Sequence, residues 1–226
     1  MSTNNTRMST VEKLPNELLA NIMSCLKPDD VLNLMLTSKR FCGVAKGHQL
    51  ILANSLLRNH CTSESIQMAI AHHAAAVAKW KPSKHNPLQP AKLQDFQEYR
   101  DHYLKPREKL ASLPEKSLSL RSVRYICAFH DSALRLARDY VDFCLRDRQA
   151  PTHPDLGTAH RAVYIIAIIC HILHPRPAGK HLPDPLWDAF SQCFSSRQRA
   201  HVTRIYMFLM YCINDGESFP MYPRWQ

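Results

Sequence analysis

Glycine is scarce in this chain of 226 residues, with only 5 in all. Tight β-hairpin turns draw on glycine, so an all-β fold is disfavoured. So few glycines also leave no Gly-rich loop to cradle a phosphate. The 8 cysteines include no CxxC pair, and in a reducing compartment they read as small buried hydrophobes. There is no long hydrophobic run: the longest, Ala162–Cys170, is about half of what a membrane span requires. The opening MSTNNTRMST lacks the apolar core of a secretory signal. A soluble protein of the cytoplasm or nucleus, without a membrane role, is therefore expected. No internal repeat of solenoid or propeller period occurs, and Trp187-Asp188 is a lone dipeptide without blade context.

The chain does carry net charge, +10 with histidine neutral. Nucleic acid is the first partner class such a balance suggests. The excess is spread evenly, at +3, +3, +2 and +2 over residues 1–60, 61–110, 111–150 and 151–226. With no basic block, a nucleic-acid partner is unsupported, although folding can still gather cations on one face.

Apolar periodicity is helical throughout. Ile66, Ala69, Ile70, His73, Ala74, Val77 and Trp80 step by three and four, as do Val123, Cys127, His130, Leu134, Ala137, Val141 and Cys144. Ala162–Leu173 is apolar nearly all round, which suits a helix central to a bundle. Thr203–Ile213 continues the pattern after Ser195-Ser196, a possible cap. The polar, proline-bearing stretches Lys81–Pro90, Gln149–Asp155 and Pro175–Pro185 read as loops. The fold class expected is all-α.

The most informative stretch lies near the amino end. From Leu14 to Leu52, twenty of thirty-nine residues are Ala, Cys, Phe, Ile, Leu, Met or Val. Pro15 suits a helix's first turn, and Glu17 there complements the helix dipole. Leu18, Leu19, Ile22 and Leu26 follow as one apolar stripe. Pro28 ends that helix at Lys27 and begins a second, with Asp29 and Asp30 in its first turn. The second helix carries Val31, Leu32, Leu34, Met35 and Leu36, too many apolar residues for one face. Ser38 is read as the cap of a third helix running through Phe41, Val44, Ala45, Ile51 and Leu52, where Gly43 and Gly47 lower helix propensity. Three short helices cannot bury this much among themselves. The surplus must meet the rest of the chain or another protein.

This pattern resembles an F-box, the helical module of ubiquitin-ligase substrate receptors. The resemblance rests on Leu14-Pro15, Glu17-Leu18-Leu19, Ile22, Leu26, Pro28, Asp30-Val31-Leu32, Leu34 and Ser38-Lys39-Arg40-Phe41, in register and without gaps. Val31 stands where Leu is commoner, and Thr37 where Val or Cys is frequent. The polar stretch 1–10 reads as a loose arm, the resemblance implies a three-helix F-box at 11–53, and the helical pattern continues as an irregular bundle at 54–226 that resembles no named family and would receive the substrate. It further implies docking on a Skp-family adaptor and, through it, a cullin carrying the RING protein. The chain would then be a non-catalytic subunit that supplies proximity. Adaptor contact carries over to Leu14, Pro15, Leu18, Leu19, Ile22, Leu26, Val31, Leu32, Leu34 and Met35, some of which must instead form the module's core. Action with the adaptor outside a ligase, and nucleic-acid binding by a basic helical protein, are the alternatives.

No cofactor or metal is expected. His72-His73, and His171 with His174 beside Cys170, are the nearest approach to metal ligands, but zinc takes four ligands, commonly from two spaced pairs. No local Cys/His signature marks a nucleophile. Arg121, Arg124, Arg135 and Arg138, interleaved with Asp131, Asp139 and Asp142, read as a solvated helix face, with a groove for an acidic partner as the functional counterpart. Three aromatics, Phe219, Tyr222 and Trp225, either tie the end to a core or line a surface.

Overall fold

A computed structural model describes residues 11–78, 90–104, 118–146, 154–172 and 185–213. The side chains of 90–93, 185–187 and 213 are not described. Trp80, His174, the carboxyl-terminal aromatics and most of the three proline-bearing stretches lie outside these residues, as does the arm at 1–10.

The described residues are helical and contain no strand. A 3₁₀ turn at Val11–Lys13 precedes α1 (Asn16–Ser24), α2 (Pro28–Thr37), α3 (Lys39–Gly47) and α4 (Gln49–His60). Then come α5 (Ser63–Val77) and α6 (Pro90–Tyr99), the latter running on into a π-helical turn, Arg100–Leu104. The rest are α7 (Leu120–Arg146), α8 (Leu156–Ile172), α9 (Pro185–Ser191) and α10 (Ser196–Ile213). The all-α expectation holds.

Local chemistry explains where these helices begin. Thr62, Ser119 and Asp155 each accept a hydrogen bond from the backbone N–H three residues on, at the starts of α5, α7 and α8. Ser195 and Gln198 form a reciprocal capping box before α10, with bonds of 2.9 and 3.3 Å. Pro90 and Pro185, read as loop ends, instead open α6 and α9, because a missing N–H is harmless in a helix's first turn.

The third expected helix is two. His48, at φ −112° and ψ 21°, leaves helical geometry between α3 and α4. The break follows Gly47, where the helix is cheapest to end. It lets α4 turn Leu52, Ala53, Leu56 and Leu57 inward and pack on α1 and α3.

The chain forms two compact units. The first comprises residues 1–67 and 107–130, and the second residues 68–106 and 131–226, so the division falls within α5 and α7. In the second unit α8 packs on α10. Buried Ala159, Ala162, Val163, Tyr164, Ile165, Ile168 and Ile172 occupy almost every side of α8. A ladder of aromatic rings joins Phe96, Phe190 and Phe194, at centroid separations of 6.2 and 5.0 Å. Tyr99 donates its hydroxyl to the Ala71 carbonyl at 2.8 Å, and burial pushes that phenol far up.

Candidate functional site

Each residue of the Ser38–Phe41 run has a structural task or a place in water. Ser38 caps α3, its hydroxyl accepting from the Arg40 N–H at 3.2 Å. The Arg40 guanidinium donates to the Leu14 carbonyl, holding the Leu14-Pro15 entrance against α3. Phe41 is buried and Lys39 is exposed. Pro28 forces Lys27 into an extended conformation, φ −74° and ψ 152°, and so sets the corner between α1 and α2. Asn59 of α4 donates to the Ser24 carbonyl at 2.9 Å, closing the far end of α1.

The ten expected adaptor contacts divide by burial. Leu19 and Val31, at 1% and 0% exposure, belong to the module's own core beside Met23, Val44, Leu52 and Leu56. Their side chains have no surface to offer a partner. Leu18 and Ile22, one turn apart on α1, are 48% and 44% exposed. Pro15 is exposed on the same side of α1, and Leu14, Leu26, Leu32, Leu34 and Met35 are partly exposed. The single expected stripe of α1 is therefore two faces, Leu19 and Met23 inward, Leu18 and Ile22 outward. Leu36, not among the ten, is the most open at 86%. It shares a face of α2 with Leu32, four positions earlier.

The first turns of α7 belong to this unit too. Gln49 donates to the Leu118 carbonyl at 3.4 Å, and Arg124 pairs with Asp29 at the start of α2. Neither link was legible beforehand, because both join segments distant in sequence. Leu120, Val123, Ile126 and Cys127 form a buried stripe along the same turns.

Elsewhere the histidines meet differently from the expected pairing. His171 of α8 lies against His72 of α5, the two Nε2 atoms 3.2 Å apart. Burial, then the neighbouring His171 and His73, push His72 down to about 4. His174, the expected partner of His171, is outside the described residues. Among the described residues, no group of three or more His, Cys, Asp or Glu is placed to hold a metal ion. No described helix is long and apolar enough to cross a membrane.

A family model for the F-box-like domain matches residues 11–61. The match extends past the expected boundary at 53 and ends at Cys61, the residue that terminates α4. Neither a curated protein nor a solved structure matches the chain. The gapless motif, the cap and tie that Ser38 and Arg40 supply, and the family match all converge: residues 11–61 are an F-box-like domain, followed by helices of no named family.

Proposed function

We propose that this protein is a substrate-receiving subunit of a cullin–RING ubiquitin ligase, docking on a Skp-family adaptor through α1 and α2. The observation that carries the reading is the outward pair Leu18 and Ile22, left 48% and 44% exposed within an F-box-like domain whose own core is already filled. The docking set is Leu14, Pro15, Leu18, Ile22, Leu26, Leu32, Leu34 and Met35, with Leu36 added on exposure. Removing such side chains from water supplies the affinity, at roughly 25 cal/mol per Å² before the costs of association. The chain itself performs no bond chemistry in this role. It raises the effective concentration of a client lysine near the charged conjugating enzyme. The second unit, which lies beyond the F-box-like domain, supplies the client surface. We place the protein in the cytoplasm or nucleus, where its eight free thiols stay reduced.

The test is titration of the full chain with purified adaptor. Micromolar or tighter binding is expected. Leu18→Arg with Ile22→Arg should weaken it at least about 100-fold, because an unpaired charge is then desolvated at the contact. Both positions face solvent, so the variant's thermal midpoint should stay within a few degrees of wild type. Unchanged affinity in the double variant overturns the contact assignment. Absence of any adaptor binding by the folded wild type overturns the receptor reading, and co-purification without a cullin assigns the protein to an adaptor complex outside the ligase.

A further inference from the structure

Two packed helices of the second unit, α8 with 17 residues and α10 with 18, contain no carboxylate. They carry four arginines, Arg161, Arg197, Arg199 and Arg204, and all four are exposed. Arg199 is partly engaged, donating to the Ser191 carbonyl and the Ser196 hydroxyl at 3.4 Å each. Arg197 and Arg204 lie on one face of α10, at i and i+7, with His201 between them at i+4. His201 is 7% exposed, and its Nδ1 is buried without a hydrogen-bond partner among the described residues. Burial first, then Arg204 and Arg197, hold that imidazole below its ordinary range. Asp155 acts on that imidazole in the opposite sense and keeps its own charge, its carboxylate oxygens accepting from the Thr158 N–H and hydroxyl at 2.8 and 2.7 Å. Farther along α10, Tyr206 and Tyr211 are 52% and 37% exposed.

We propose that the Arg197–Arg204 face of α10 is a docking surface for an acidic segment of a partner protein. Charge complementarity argues for that occupant: a few guanidinium groups on one helix face bind carboxylates through paired N–H donors. A nucleic-acid backbone is less well matched. It needs cations repeated along its length, whereas the part of α7 in this unit, 131–146, mixes exposed Arg135, Arg138 and Arg146 with exposed Asp131, Asp139 and Asp142. Tyr211, seven positions after Arg204 on the same face of α10, adds apolar contact to the charges. The surface rests on the ligase reading only in making that partner a client.

Fluorescein-labelled peptides test it on the full chain: a short glutamate-rich peptide, its glutamine counterpart, and a labelled oligothymidylate. The glutamate peptide should bind saturably and the glutamine peptide should not. Arg197→Glu with Arg204→Glu should weaken the glutamate peptide at least about tenfold, and the Ala pair should do so less. Binding should also raise the His201 midpoint, followed by its imidazole NMR resonance, as the facing cations are neutralised. Equal binding by the double variant, an unmoved His201, or no preference for the glutamate peptide overturns the proposal. Tighter binding of oligothymidylate replaces it with a nucleic-acid surface. Adaptor affinity should be unchanged in both arginine variants, so failure of the wild type to bind adaptor is read against the ligase function and not against this surface.

Discussion

His72 is 1% exposed on α5, and its contact with His171 leaves no room for two charges. Its folded value of about 4 lies below the ordinary 6.5. The unfolded chain therefore binds the proton more readily between those values. Stability is full above about pH 6.5 and is lost as the pH falls toward 4. The loss from this residue alone is on the order of 2–3 kcal/mol. His73 and His201 are lowered too and add to the same slope. Urea unfolding at a series of pH values should show this acid decline, and His72→Gln, which cannot titrate, should remove its largest share. A slope unaltered in that variant would place the titration elsewhere. Ser38 offers a second check. Replacing it with Ala strips the cap of α3 and should cost about 1 kcal/mol, read as a lower urea midpoint with unchanged slope. The histidine contact was hidden in the sequence, since its members stand 99 positions apart. The cap was not, because a serine before a helical run satisfies orphan N–H groups by local geometry alone.

Among the helices, α3 is the one held against its own propensities. Gly43 sits inside it, exposed, with nothing within 4 Å of where a Cβ would stand. Gly43→Ala should therefore stabilise the F-box-like domain by about 0.5–1 kcal/mol, measurable as a raised melting temperature. A lowered one would mean that the helix is strained there. The same glycines signalled a weak third helix, but the signal did not say that the chain breaks at His48 and starts again. That outcome depends on α4 finding α1 and α3 to cover Leu52 and Leu56. In α7 and α8 periodicity was a sufficient guide. A stripe from Val123 to Cys144, and a helix apolar on most sides, are patterns that only burial satisfies.

For the molecule as a whole, the F-box-like match and the first compact unit are not the same piece of chain. The match stops at 61, whereas the unit also takes in residues 107–130. Arg124 and the Leu118 carbonyl are partners of α2 and α4 that an isolated amino-terminal fragment lacks. The fragment 11–61 should therefore exchange its α2 and α4 amides at least about tenfold faster than the full chain does. Equal protection in the two would show that α7 adds nothing to the module's stability.

Composition and spacing alone determined that the described residues are helical and that α1 and α2 meet at Pro28, whereas the F-box-like character of residues 11–61 rests on resemblance to a family. The first two follow from local rules: few glycines, apolar period, proline geometry and capping. Which leucines stay exposed was settled by folding. Leu18 and Leu19 are neighbours of identical chemistry, yet one is 48% exposed and the other 1%. Only the packing of α1 against α3 and α4 distinguishes them, because burial is a property of the assembled core and not of the residue.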